Sequence, residues 1–156
     1  MVTRTDLDNI LADLCQLIIV GQKKDSELYG LVAACVLDPA GNKVMAVNYF
    51  NDGDRVHGER AAIDKYIKQN GKIPKGSIII TTLSPCSKKM DDRVGCSCTD
   101  LIDSLGIKQV YCGYIDPTQD DSVHYGHKKF KVTETKNKKI RELCKQIADT
   151  FIFDMD

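Results

Sequence analysis

Ser77-Ile78-Ile79-Ile80-Thr81-Thr82 is a strand-length run in which every residue after the serine is β-branched. Such a run, without polar alternation, belongs to a sheet covered on both faces. A second one, Val110-Tyr111-Cys112-Gly113-Tyr114, follows after a short helical segment, Cys98 to Leu105, that Gly106 ends. Strand, helix and strand at this spacing predict a right-handed crossover between neighbouring strands. The parallel pair decides the fold class, because helices must then lie on the faces of the sheet.

Upstream, Gly30 to Leu37 and Lys43 to Tyr49 are apolar, β-rich runs joined by Pro39-Ala40-Gly41-Asn42, which predicts a hairpin. After a polar loop, His57 to Asn70 has helical spacing (Ala61, Ala62, Ile63, Tyr66, Ile67) and stops at Gly71. Leu7, Ile10, Leu11, Leu14, Leu17 and Ile18 recur at three and four, so a first helix is expected over residues 5 to 22, with Thr5 as its N-cap. Phe130 to Thr135 reads as a fifth strand and Lys136 to Phe151 as a last helix. The order predicts an α/β fold, a three-layer α-β-α sandwich around a central mixed five-stranded sheet, with residues 1–156 forming one domain.

The chain has 156 residues, with 22 Lys+Arg against 22 Asp+Glu. This balance gives no reason to expect a generic polyanion binder. Hydrophobic residues at 42% place it among globular proteins rather than disordered ones. Seven cysteines, an odd number, argue against a disulfide framework. The start Met1-Val2-Thr3-Arg4-Thr5 is not that of an export signal, and the apolar run Leu14 to Val20 is interrupted by Gln16 and too short to span a membrane. The expected setting is the cytoplasm, where clustered cysteines serve as metal ligands or catalytic groups more often than as bridges.

Two patterns carry chemistry: His57-Gly58-Glu59 opening the second helix, and Pro85-Cys86 followed by Cys96-Ser97-Cys98 opening the third. They offer an imidazole, two thiolates and a carboxylate. Three zinc ligands with a fourth position left to water mark a catalytic site, whereas Cys96 as a fourth ligand would close it into a structural one. Two thiolates neutralise Zn²⁺ and leave its water less acidic, so a carboxylate is needed to move the proton, which is the place for Glu59. His57 and Glu59 are two apart and in a regular helix would point nearly opposite ways. His57 is therefore expected at the strand-to-helix entry, outside the regular turns. Cys15, Cys35, Cys112 and Cys144 sit within apolar patterns and are read as core.

The H-x-E…P-C…C arrangement resembles the zinc-dependent cytidine deaminase superfamily. Ile80 to Cys86 and His57-Gly58-Glu59 look especially like the fungal cytosine deaminases, and Cys98 to Val110 is similar to the family's helix and its glycine-isoleucine step into the next strand. The family usually writes Pro-Cys-x-x-Cys, whereas Ser87 to Ser97 separate the cysteines here. The deaminases of riboflavin synthesis carry a comparable spacer. Closing a loop three times longer costs about 1 kcal/mol, small against about 10 kcal/mol for binding structural zinc. Counted back from Gly106-Ile107, the family's register selects Cys98, with Cys96 its neighbour or substitute.

The resemblance implies Zn²⁺ as cofactor, with His57, Cys86 and Cys98 as ligands and Glu59 as the catalytic proton shuttle. It also implies that the Gly58 N–H and the Asn48 side chain meet the ring oxygen of the substrate, and that the Ser84 carbonyl accepts from the leaving amine. For Asn48 a plain turn role at the end of a strand competes evenly. The implied reaction is hydroxide attack on an amine-bearing ring carbon, protonation of the ring nitrogen and release of ammonia from a small pyrimidine-type substrate. Residues 87–95 would lie near the pocket mouth, where substrate is selected. Family habit implies a homodimer or higher homo-oligomer.

Alternatives are a diaminopyrimidine ribosyl-phosphate substrate, a base within RNA or single-stranded DNA, and a zinc-stabilised binding module without catalysis. His127 to Lys145 holds eight Lys and Arg residues against Glu134 and Glu142, which reads first as a solvated face and second as a phosphate or nucleic-acid contact. His124 and His127, in a polar loop, read as solvated. No membrane partner is expected.

Overall fold

The structure, a computed structural model, describes residues 2–24, 31–51, 54–85, 97–117 and 129–155. In chain order these form α1 (Arg4–Lys24), β1 (Ala33–Leu37), β2 (Lys43–Val47), β3 (Tyr49–Asn51), β4 (Asp54–Val56), α2 (Gly58–Asn70), β5 (Ile78–Leu83), α3 (Cys98–Ser104), β6 (Gln109–Tyr114), β7 (Lys131–Glu134) and α4 (Lys138–Met155). The main sheet has five strands in the order β2-β1-β5-β6-β7. β1 is antiparallel to β2 and β5, while β5, β6 and β7 run parallel. The expected mixed sheet and β5-α3-β6 crossover are both present. One row of paired residues runs Ala46, Ala34, Thr81, Cys112, Glu134 across its whole width.

Period-two alternation divides the apolar runs between two cores. Cys35, Leu37, Ile80 and Tyr111 face one side, where they pack with Leu11, Leu14, Cys15 and Ile18 of α1 and with Cys144, Ile147 and Ala148 of α4. Ala34, Val36, Ile79 and Val110 pack on the other side with Ala62, Ile63 and Tyr66 of α2 and Ile102 of α3. This is why the strands read as continuously apolar: both faces are buried under helices, giving the three layers. Among the described residues no helix is long and apolar enough to cross a membrane.

Local differences from the sequence reading have identifiable causes. The first helix begins earlier than expected, because Thr3 and not Thr5 caps it: the Asp6 N–H donates to Thr3 Oγ1 at 3.1 Å and the Thr3 N–H to Asp6 Oδ2 at 2.9 Å. This is a reciprocal capping box built on aspartate. The second strand stops at Val47 instead of Tyr49. There Asn48 turns its own Oδ1 onto the Val32 N–H at 2.9 Å while its N–H donates to the Val32 carbonyl at 3.0 Å. The stretch read as a polar loop after it contains β3 and β4, a small antiparallel pair. Its signal was the dipeptide Asp52-Gly53, a hairpin-turn sequence, between the two short strands.

The β1-β2 hairpin is tied to α2 through one carboxylate. Asp38 accepts from the Ala40 and Asn42 N–H groups, from Asn42 Nδ2 and, at 2.7 Å, from the Tyr66 hydroxyl. The last helix packs on β6 closely: a Cβ on Gly113 would lie 2.2 Å from Cys144 Sγ. Cys144 Sγ in turn lies 3.5 Å from Cys15 Sγ of α1.

Candidate active site

His57 is the N-cap of α2, with extended backbone (φ −69°, ψ 158°), so it stands outside the helical turns while Glu59 lies within the first of them. This entry geometry is what allows residues two apart to face one place. Gly58 between them is pressed onto β1: a Cβ there would come within 2.4 Å of the Val32 carbonyl oxygen. Real Cβ atoms do not approach backbone so closely, so only glycine seats the helix start against the sheet. Asn48 grips the same Val32 peptide from the other side, and its Oδ1 is thereby committed to the Val32 N–H. That bond assigns the amide orientation and leaves the Nδ2 end as the donor end.

Cys98 is the first residue of α3, whose N-cap Ser97 accepts from the Asp100 N–H at 3.1 Å. The Thr99 hydroxyl lies 3.5 Å from the carbonyl of Pro85, the residue before Cys86. The two ends of the long spacer are thus held side by side. Ser84, just beyond β5, donates its N–H to the Tyr114 carbonyl and accepts from the Asp116 N–H at Oγ, both at 2.9 Å. The Ile115 N–H donates to Glu134 Oε2 at 2.8 Å, and Glu134 Oε1 takes the Arg141 Nε–H at 2.7 Å. The C-terminal ends of β5 and β6 are therefore linked and fixed beside the helix starts, the place where open α/β sheets bind ligands.

The ligand atoms of His57, Glu59 and Cys98 all lie within 4.8 Å of one another, with Glu59 and Cys98 buried. Donors around a tetrahedral zinc stand about 3.5 Å apart, so an imidazole nitrogen and a thiolate sulfur in this cluster suit that ion, with the carboxylate alongside. Thr81, on β5, places Oγ1 3.0 Å from Glu59 Oε1. The sequence reading overlooked this residue, since a threonine in an isoleucine-rich run signals a strand and nothing more. Cys86, Cys96, residues 87–95, His124 and His127 lie outside the described residues. Of the sequence-predicted residues, His57, Glu59 and Cys98 meet in one cluster. Asn48 and Gly58 meet at Val32, and Ser84 stands at the end of β5.

Of the other described cysteines, Cys15, Cys35 and Cys144 belong to the core under α1 and α4, and Cys112 is paired with Thr81 across β5 and β6. Cys15, Cys35, Cys112 and Cys144 are all buried. Burial pushes the Cys35 thiol up to about 12, which keeps it protonated and unsuited to holding a metal.

A three-layer α/β fold with imidazole, thiol and carboxylate gathered at two helix starts is the arrangement found in the zinc nucleobase deaminases. The profile of the cytidine and deoxycytidylate deaminase zinc-binding region matches residues 14–114, and the chain belongs to that family. The chain is 32% identical over 77 residues to a diaminohydroxyphosphoribosylamino-pyrimidine deaminase of Schizosaccharomyces pombe, covering 48% of this chain and 18% of that protein. Its fold is similar to that of a diaminohydroxyphosphoribosylaminopyrimidine deaminase/5-amino-6-(5-phosphoribosylamino)uracil reductase from Thermotoga maritima. The TM-score there is 0.71 at 23% identity, over 97% of this chain and 42% of the other. A dCMP deaminase from the cyanophage S-TIM5 gives a TM-score of 0.53 at 19% identity, over 81% of this chain and 97% of the other. The chain thus spans less than half the length of the first two relatives, and the structural likenesses bear on the fold alone.

Proposed function

We propose that the chain is a zinc-dependent hydrolytic deaminase that converts a ring amine to a carbonyl on a pyrimidine-type base, nucleoside or nucleotide, releasing ammonia. The cluster of His57, Glu59 and Cys98 at the sheet edge carries this reading. His57 and Cys98, with Cys86 contributed after Pro85, would hold the zinc. The ion supplies the Lewis acidity that makes water nucleophilic near neutral pH. Glu59 takes a proton from the attacking water and delivers it to the ring nitrogen, then moves the added hydroxyl's proton to the amine, so that the C–N bond breaks with ammonia leaving as the carbonyl forms. The Gly58 N–H, at the start of α2, and the Asn48 Nδ2 would hold the ring oxygen, and the Ser84 carbonyl would receive the leaving amine. Residues 1–156 are taken as one domain working in the cytoplasm as a homo-oligomer.

Two substrate classes fit this chemistry. Cytosine-type compounds are suggested by the family profile, whose description names cytidine and deoxycytidylate. A diaminopyrimidine ribosyl-phosphate is favoured by the Schizosaccharomyces pombe relative. An ammonia-release screen over bases, nucleosides, nucleotides, diaminopyrimidine phosphates and oligonucleotides separates them, with metal content measured in parallel. Glu59→Gln is expected to cut turnover at least about 100-fold while zinc is retained. Full activity in that variant would sink the deaminase reading.

A further inference from the structure

We propose that Thr81 is the positioning residue of this site, the group that holds the Glu59 carboxylate where it can pass a proton. The inference rests on the deaminase reading and adds to it a residue from the centre of the sheet.

Thr81 is fully buried in β5, the central strand, between Ala34 of β1 and Cys112 of β6. The preceding residues, Ile78, Ile79 and Ile80, show what such a position takes when only packing matters. A buried hydroxyl is costly unless it is bonded, and Thr81 has a sufficient partner within its own strand: the Leu83 carbonyl lies 2.9 Å from Oγ1. That bond alone satisfies the hydroxyl. The second contact, 3.0 Å to Glu59 Oε1, is therefore more than the strand requires. Its one hydrogen has two oxygen acceptors within reach and is given to the Leu83 carbonyl or to Glu59; once Glu59 holds a proton, the carboxyl can donate to Oγ1 while Oγ1 donates to Leu83. Thr82, next in the chain, shows the contrast: its Oγ1 accepts from the Ala33 N–H at 3.3 Å, a bond within the sheet.

The consequence is positional. A glutamate has three side-chain torsions, and a group that transfers protons must hold its oxygens to within a fraction of an ångström. Glu59 is fixed at both ends here. Its backbone is seated by Gly58 against the carbonyl of Val32, the residue that leads into β1, and its carboxylate is met by a hydroxyl anchored to β5. Thr81 lies within the central strand of the five-stranded sheet, and Val32 stands directly before β1 with its N–H and carbonyl both bonded to Asn48.

Thr81→Val removes the hydroxyl at nearly constant shape, and Thr81→Ser keeps it. The Val variant is expected to lose kcat by about tenfold or more with KM within about twofold, on the scale that small misplacements of reacting groups cost. Zinc content should match the parent protein, and Thr81→Ser should recover most of kcat. A Val variant with parental kcat overturns the inference, as does a Ser variant that loses as much as Val. If Thr81→Val does not fold, Thr81→Ala against Thr81→Ser gives the same comparison. Glu59→Gln run alongside separates the two readings. If it keeps its activity, the deaminase reading fails; if it is inactive while Thr81→Val is unimpaired, only the role of Thr81 fails.

Discussion

Glycine 58 occupies a place no other residue fits, and its value to the site is steric. Gly58→Ala drives a methyl group onto the Val32 carbonyl, so the start of α2 must lift away from β1 and carry His57 and Glu59 with it. The expected cost is about 1–3 kcal/mol or more by urea unfolding, since backbone and not a movable side chain is struck. Metal binding should weaken as well. Gly21→Ala is the control: nothing lies within 4 Å of a Cβ there, and in helix α1 the change should stabilise by about 0.5–1 kcal/mol. His57, Glu59 and Cys98 were legible at this scale because their chemistry demands those residue types at those spacings. Thr81 was not, because β-branching alone justifies a threonine in a strand. Its second bond depends on Glu59, 22 residues away in the chain.

Among the elements, the β1-β2 hairpin and α2 share a pH-sensitive fastening. The Tyr66 hydroxyl, followed by Asn42, holds the Asp38 carboxyl below its ordinary range. A carboxylate whose folded pKa is depressed adds stability above its unfolded value of about 3.9 and loses it as pH falls through the folded value. The melting temperature should therefore drop steeply below about pH 4, and Asp38→Asn should flatten that limb; an unchanged acid limb would remove Asp38 as its source. The strands and helices themselves were readable from periodicity, and most of their ends fall within a few residues of where the pattern places them. The ends that moved did so through side chains competing with backbone: Thr3 took over the cap of α1, and Asn48 ended β2 by substituting its own oxygen for a ladder partner. A pattern of apolar residues carries no record of such bonds.

At the scale of the molecule, the layer beneath α1 has a long-range architecture. Leu14, Cys15 and Ile18 pack with Tyr111 and with Cys144, Ile147 and Ala148, and the thiols of Cys15 and Cys144 touch although they stand 129 positions apart in sequence. The opposite core, under α2 and α3, runs from Ala34 to Phe130 and, among the described residues, includes none of α1 or α4. During synthesis, residues 34–130 can begin to assemble this core while the first helix still lacks the cover of α4. An emerging chain must wait for its last helix before that apolar face is sealed, and a chaperone would find it open until then. A version truncated at Lys136 is expected to be insoluble or to bind a hydrophobic dye strongly, whereas supplying residues 137–156 as a separate peptide should restore solubility. Helix α4, far in sequence from the cluster of His57, Glu59 and Cys98, would in this way set when the layer under α1 closes.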